Sequence, residues 1–415
     1  MLEYVILIIS FIGLYLSIIW INLLFLGKKE IEEYKKPKKG YYPSITFAIP
    51  AFNEEKTIAK TIESILEIEY PKDRYEIFVI DDGSKDDTAK IAKKYIKQDI
   101  TVISTKNNGK GHALNVALKK SKKELFACID ADSYIEKGSV INIVQNFRKK
   151  DISGCSSSIF IRNNKKIIEK IQVFEYMYAA IFRQIYSFIN CMYVTPGVLS
   201  IYRTKDLKDE GYFDEANNIT EDLEIALRLH SRHKHIAFDI RSITHTTAPD
   251  TLKALMRQRI RWFRGYIYNA RKYRHMHFNK DFGTLGLFML PLNILGIFLI
   301  FITTTIIWDG ISKWFRYIYQ RVIIADTSIF DLIDIITMKQ TLLTINFKIT
   351  IPLIVMTIIG LYILYKAHKI TEKKIDLSLK SIISFLLFLT VYPWIVTISW
   401  TYSIIQELRQ SKRVW

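Results

Sequence analysis

Four long apolar runs constrain this chain more than any other feature, because about 20 uncharged residues cross the ~30 Å hydrocarbon core of a bilayer as a helix. Tyr4 to Gly27, Phe282 to Trp308 and Ser381 to Gln406 each exceed that length, and the shorter Ile349 to Tyr365 is almost wholly apolar apart from Thr350 and Thr357. The expectation is a multi-pass protein with about four transmembrane helices, at 4–27, 281–308, 349–365 and 381–406. The first run is too long for the apolar core of a signal peptide and has neither a basic leader nor a small-residue cleavage site, so it reads as a retained anchor. Lys28, Lys29, Lys35, Lys36, Lys38 and Lys39 follow it and mark that side as cytoplasmic. The chain then belongs in the cytoplasmic membrane, with its amino terminus outside and residues 44 to 273 inside.

That count leaves a conflict. Four spans from an outside amino terminus put the carboxyl tail outside, yet Arg409, Lys412 and Arg413 favour the inside. The stretch 309–348 carries Asp326, Asp331, Asp334 and Lys339, too costly for a further span, and reads as an interfacial or re-entrant loop. The formal charge of +18 would suggest nucleic acid in a soluble protein. Here Lys and Arg cluster beside membrane-facing segments, so the lipid bilayer is the expected partner and nucleic acid is not. Cys128, Cys155 and Cys191 have no paired spacing, which argues against both disulfides and a zinc site.

Between Ser44 and Ala248, short β-rich runs alternate with helix-like stretches, the pattern of a doubly wound α/β sheet with parallel strands. Strands are expected at 45–49, 75–80, 101–104 and 125–129, and helices at 54–66, 87–97, 111–120 and 137–148. Lys166 to Asn190 and Thr251 to Arg274 interleave aromatics and aliphatics with Lys and Arg, and read as helices in the membrane interface, the second filling a segment at 249–280.

The polar motifs fall where a doubly wound sheet binds ligands, at the carboxyl ends of its strands. The first strand ends in Pro50-Ala51-Phe52-Asn53-Glu54-Glu55 and the second in Asp81-Asp82-Gly83-Ser84. A carboxylate there can accept hydrogen bonds from a uracil ring or a ribose hydroxyl; read singly, each run is equally an ordinary turn or helix start. Asn107 to Asn115 is a glycine-rich turn feeding a helix, where backbone amides and Lys110 suit phosphate, without the spacing of an ATPase loop. Asp130-Ala131-Asp132 offers two hard carboxylates for Mg²⁺ or Mn²⁺ shared with phosphates, or a solvated turn. Thr220-Glu221-Asp222 opens a helix that Thr220 would cap, and its functional reading makes Asp222 a general base toward an acceptor hydroxyl. Gln258-Arg259-Ile260-Arg261-Trp262 places guanidinium groups for a diphosphate and an indole for a sugar ring on the second interfacial helix; a basic face on lipid headgroups fits it too.

Taken in order, Asp81-Asp82, Asp130-x-Asp132, Thr220-Glu221-Asp222 and Gln258-x-x-Arg261-Trp262 resemble the processive, membrane-embedded family 2 glycosyltransferases, such as the synthases of cellulose, hyaluronan, chitin oligosaccharides and poly-β-1,6-N-acetylglucosamine. The resemblance spans about Ser44 to Tyr273. It implies a GT-A fold over 44–248 and an inverting, metal-dependent transferase that uses a UDP-sugar, UDP-GlcNAc for example, to extend and translocate a β-linked polysaccharide. It implies donor contacts from Pro50, Asn53, Glu54, Asp81, Asp82, Lys110, Asp130 and Arg261, and metal binding by Asp132 beside Asp130. Asp222 would be the base, with Glu221, Gln258 and Trp262 toward the growing glycan acceptor. Family members often carry a Ser/Thr-Gly pair before the Thr-Glu-Asp triplet, where this chain has Thr195-Pro196-Gly197, so the acceptor stays open. Two alternatives share the donor site: single addition to a polyprenyl phosphate or glycolipid, and a silent nucleotide-sugar-binding or glycan-export protein, which intact Asp132 and Asp222 oppose.

Overall fold

A computed structural model describes residues 2–27, 40–215, 218–320, 347–370 and 376–411 of the 415-residue chain. The Lys28 to Lys39 cluster, Asp326 to Lys339, Lys412 and Arg413 lie outside the described residues. Packing divides the chain into two units, Met1–Leu26 with Leu292–Tyr365, and Gly27–Pro291 with Lys366–Trp415.

The second unit is built on an eight-stranded sheet: β1 (Ile45–Ala51), β2 (Tyr75–Asp81), β3 (Ile100–Ser104), β4 (Leu125–Cys128), β5 (Tyr134–Ile135), β6 (Ile152–Ile161), β7 (Ser200–Arg203) and β8 (His235–Thr246), in the order β3-β2-β1-β4-β7-β6-β8-β5. β1 to β4 pair in parallel as their spacing predicts, with Ala51 opposite Asp81 and Ala48 opposite Cys128. Helices Ile58–Leu66, Thr88–Lys93 and Lys110–Lys120 connect them. Ile45, Phe47, Ile49 and Val79 are completely buried beneath Ile58, Ile62 and Ile65, so these strands read as near-continuous apolar runs because both faces are covered.

The other half corrects the expectation of a wholly parallel sheet. β7 is antiparallel to both β4 and β6, and β5 to β8, while β6 and β8 run parallel. β6 escapes a pattern search because its centre is Gly-Cys-Ser-Ser-Ser; all three hydroxyls are buried, and two are satisfied across strands, Ser156 with Ser200 at 2.6 Å and Ser157 with Thr244, while Ser158 Oγ has no partner among the described residues. The first connecting helix starts at Ile58 rather than 54, because Asn53 takes a left-handed φ of 57° and the Glu54 and Glu55 amides bond instead to Thr88 Oγ1 (2.7 Å) and Asp86 Oδ2 (3.1 Å).

Two amphipathic helices, Ile167–Phe188 and Leu252–Lys272, fill the segments expected at the interface. Against them pack Leu379–Thr390 and Tyr392–Leu408, two helices bent by 42° where a single transmembrane helix was expected at 381–406. The contacts are aromatic: Phe174 to Phe385 at 5.1 Å, Tyr178 stacked on Phe388 at 5.8 Å and Phe263 stacked on Trp400 at 4.2 Å.

Among the described residues three helices, Glu3–Leu26, Leu285–Tyr319 and Phe347–Ile370, are long and apolar enough to cross a membrane, and the bent pair Leu379–Thr390 with Tyr392–Leu408 makes a fourth if it is counted as one span. Leu285–Tyr319 outlasts the apolar run ending at Trp308, and an Asp309–Lys313 pair at 2.6 Å sits on its extension, so the loop expected from 309 begins no earlier than 320. Within the smaller unit, bare Gly13 lets Met356 approach to 2.7 Å of where a Cβ would stand, and the Phe25 and Tyr362 rings lie 6.0 Å apart. Cys128, Cys155 and Cys191 are free and buried.

Candidate active site

The strand-end loops brace one another. Asn53 donates its amide to Ser84 Oγ (3.0 Å) and accepts from the Lys85 amide (2.9 Å), tying the β1 loop to the β2 loop. Pro50 lies within β1, opposite Ile80. Asp81 accepts from the Ser84 amide at 3.2 Å. Asp82 accepts from Thr105 Oγ1 (3.0 Å) and the amides of Asn108 (3.2 Å) and Gly109 (2.8 Å). Three of its roughly four acceptor positions are thereby used to shape the glycine-rich turn. Gly109 adopts φ 91°, a conformation open to glycine, and Lys110 then begins its helix.

Lys110 organises the centre. Its Nζ lies 2.6 Å from Asp130 Oδ1 and 2.6 Å from Glu221 Oε1, joining the turn after β4 to the helix Glu221–Ser231. Burial alone would lower the Lys110 pKa, but the carboxylates of Asp130, Glu221 and Asp222 outweigh it and hold it well above its usual value. A Cβ on Gly197 would stand 2.4 Å from Lys110 Nζ and 2.7 Å from Asp130 Oδ1, so a side chain there would push the ends of this ion pair aside. Gly197 O also accepts from the Asp130 amide at 2.9 Å.

Asp132 sits beside this pair, with Ser133 Oγ at 3.4 Å and Thr246 Oγ1 at 3.5 Å. Burial, then repulsion from Asp130 and Glu54, push its pKa up to about 7. Burial likewise raises Glu54, against a bond from Thr57 Oγ1 at 2.6 Å and with Asp130 adding to the rise.

Asp222 opens the next helix. Burial, then the Glu221 charge, raise it to about 6, while Lys110, Arg261 and its bond from the Leu223 amide (2.8 Å) pull the other way. Its carbonyl accepts from Thr195 Oγ1 at 2.8 Å, and Tyr202 OH bonds Thr195 Oγ1 at 2.7 Å. The departure noted at Thr195-Pro196-Gly197 thus has two structural uses: Thr195 pins Asp222 and Gly197 admits Lys110.

Thr220 stands at the cap position, but its hydroxyl caps no amide of the helix, contrary to the expected side-chain cap. It faces the Leu252–Lys272 helix, accepting from Asn269 Nδ2 at 3.1 Å and packing where a Gly265 Cβ would meet it at 2.2 Å. Asn269 is fully buried and also donates to Gly265 O at 3.0 Å. Sequence reading missed this clamp; its one signal was a glycine inside a helix, which costs about 1 kcal/mol unless packing requires it.

On the same helix, Arg261 reaches Ile219 O at 3.1 Å and acts electrostatically on Asp222. Gln258 and Trp262 gather instead around Arg259, whose guanidinium lies 4.2 Å from the Trp262 ring centre and takes Gln258 Oε1 at 2.6 Å. Arg259, read from sequence with Arg261 as a guanidinium group for a diphosphate, is instead fully buried; it also pairs with Glu175 at 2.5 Å and donates to Tyr392 OH at 2.9 Å.

Lys110 thus faces Asp130, Glu221 and Asp222, Arg261 acts on Asp222, and Glu54 adds its charge to that of Asp130 and Asp132. The surplus negative charge is on the Glu54–Asp130–Asp132 side, where it raises Asp132. Among the described residues no group of three or more His, Cys, Asp or Glu could hold a metal by itself. Two hard carboxylates needing a cation, with remaining ligands from phosphate and water, fit Mg²⁺ or Mn²⁺.

Comparison with known proteins agrees with this geometry. Residues 46–209 match the family described as Glycosyl transferase family 2. The chain is 31% identical over 265 residues to the poly-beta-1,6-N-acetyl-D-glucosamine synthase of Staphylococcus epidermidis, covering 61% of this chain and 64% of that protein. It is 31% identical over 266 residues, with the same coverage, to the synthase of that name from Staphylococcus aureus strain COL. The matched region therefore spans 64% of these relatives' length. A mannosyltransferase of Pyrobaculum calidifontis, solved with GDP-Man and Mn²⁺, superposes with a TM-score of 0.57 at 14% identity, covering 97% of this chain and 99% of that one, and shows the fold to be GT-A-like.

Proposed function

We propose, for a chain that carries a family 2 glycosyl transferase domain on a GT-A-like sheet, an inverting transferase that extends a β-linked polysaccharide from a UDP-sugar, with N-acetylglucosamine favoured by the polymer for which its relatives are named. The observation that carries this reading is the placement of Asp222. It is a carboxylate with a pKa of about 6 at a helix start, flanked by Lys110 and Arg261, with Asp130 and Asp132 on the far side of Lys110.

In this reading Asp222 accepts the proton of an acceptor hydroxyl as its oxygen attacks the anomeric carbon of the donor. The new carbon–oxygen bond forms on the face opposite the breaking bond to diphosphate, whose electron pair leaves with UDP. A general base works best with a pKa near ambient pH, which burial gives Asp222 and an exposed aspartate lacks. Arg261 and Lys110 stabilise the leaving diphosphate. Asp130 and Asp132 would hold Mg²⁺ or Mn²⁺, which supplies neutralising charge to the phosphates. The Asn53–Ser84 bracing and the Asp82-bound turn shape the nucleotide end, and Trp262, held by Arg259, offers its indole to the acceptor chain. Asp82 acts chiefly through the turn it holds. The catalytic unit faces the cytoplasm, where nucleotide sugars are made.

Replacing Asp222 with Asn, assayed for UDP release and for binding of UDP, tests the assignment. Turnover is expected to fall by about 10²-fold or more, within the range for general-base catalysis, while UDP binding persists. Undiminished turnover would remove Asp222 from the mechanism.

A further inference from the structure

We propose that the carboxy-terminal apolar segment, Leu379–Thr390 with Tyr392–Leu408, does not cross the bilayer but lies along its surface as the lipid-contacting floor of the catalytic unit. Both of its ends are fastened to that unit. At the start, Lys170 of the Ile167–Phe188 helix pairs with Asp376 at 2.6 Å and donates to Ser381 Oγ at 2.8 Å, and Lys380 donates back to Lys165 O. At the finish, Arg264 of the Leu252–Lys272 helix pairs with Glu407 at 2.8 Å and donates to Ser411 O at 2.5 Å. Between them, Tyr392 OH receives Arg259 at 2.9 Å, Trp400 stacks on Phe263 at 4.2 Å and Ser403 reaches Ile260 O at 3.3 Å.

Arg264 lies three residues, about 4.5 Å, from Arg261 along the Leu252–Lys272 helix, and next to Gly265, against which Thr220 packs. The same helix presents Arg261 toward Asp222, so it stays at the level of the active site. A segment fastened at Asp376 and Ser381 to one helix of the catalytic unit, and at Glu407 to the other beside Arg261, has both ends on the catalytic side. The Arg264–Glu407 pair is also deeply buried, with side chains 7% and 3% exposed. Carrying Glu407 to the opposite surface would break this pair and leave both charges uncompensated.

The outward face names the occupant. Ile382, Leu386, Leu389, Ile398 and Ile405 are exposed along one continuous stretch, and Lys380 and Arg409 flank it. An apolar stripe bordered by cations fits the boundary between acyl chains and anionic headgroups of a single leaflet. With three crossings rather than four, Arg409 lies on the catalytic side, and the conflict with the positive-inside rule disappears.

Cysteine labelling of the full-length protein in intact cells, with an impermeant maleimide, tests this without any assay of activity. Gln410→Cys and, as a second site, Leu408→Cys are compared with Lys85→Cys in the catalytic unit; the parent supplies the blank because its three cysteines are buried. The tail sites are expected to behave like Lys85→Cys, whichever side that is. Opposite accessibility would overturn the proposal. A spin label at Leu386→Cys in anionic vesicles tests the occupant: relaxation by oxygen with protection from a water-soluble nickel chelate supports lipid. Relaxation by the chelate, or shielding from both as a covering protein would produce, contradicts it.

Discussion

Replacing Gly265 with alanine probes the link between the base and the helix that carries Arg261. An added Cβ would stand 2.2 Å from Thr220 Oγ1, 2.4 Å from its Cγ2 and 2.8 Å from its Cβ. Rotating Thr220 relieves the first two contacts, but the third is fixed to the backbone. Restoring ordinary separation therefore moves the start of the Asp222 helix by about 1 Å, a displacement that can cost on the order of 10²-fold in rate. Overpacking should lower stability by about 1–3 kcal/mol. Helix propensity acts in the opposite direction, favouring alanine over glycine by about 1 kcal/mol. The assay is UDP release in lipid nanodiscs, with kcat and donor KM separated and thermal unfolding followed alongside. Gly138→Ala, where the added Cβ meets nothing within 4 Å, is the control. We expect kcat to fall by about 10²-fold with donor KM changed much less, because the donor groups at Asp82 and Asp130 do not touch the displaced helix. Wild-type kcat together with a higher melting temperature would refute the clamp, since it would mean that propensity alone governs this position.

Asp132→Asn should abolish divalent-dependent turnover while leaving a folded, membrane-inserted protein, as judged by its unfolding profile. Turnover should rise as pH climbs through about 6, because the base works deprotonated and Asp222 is raised to about that value; a rate independent of pH between 5 and 7 would contradict the base assignment. Arg261→Lys should keep the charge but lose the planar two-donor geometry, so kcat stays depressed while UDP still binds. Arg259→Ala should leave donor KM unaltered and shorten the product, since it frees the Trp262 ring and strands Glu175; unchanged chain length would separate Arg259 from acceptor handling.

The site was legible wherever chemistry sits at a strand end. Asp130, Glu221 and Asp222 could be named as candidates because carboxylates following β-rich runs, or opening a helix, stand out against the apolar pattern, and Lys110 pairs with the first two. Legibility failed where meaning depends on a neighbour distant in sequence. β6 lacks alternation because buried serines pair with β7 and β8, which no local pattern reveals. Asp82 looked like a nucleotide contact, and only the fold shows three of its hydrogen bonds holding the Thr105 to Gly109 turn. Gly197, Gly265 and Asn269 act through close approach across more than 40 residues of chain, leaving at most a misplaced glycine as a trace. The carboxy-terminal apolar run has the composition of a span, and composition carries no information about where its ends are fastened.

Product analysis tests the central claim most directly. The purified protein in lipid is offered a panel of UDP-sugars with Mg²⁺ or Mn²⁺, and UDP release and product length are read from the same reaction. The account predicts one preferred UDP-sugar, UDP release that disappears in Asp222→Asn, and a product many sugars long. A single-sugar adduct at saturating donor would contradict polymerisation, and UDP release that persists in Asp222→Asn would contradict the mechanism itself.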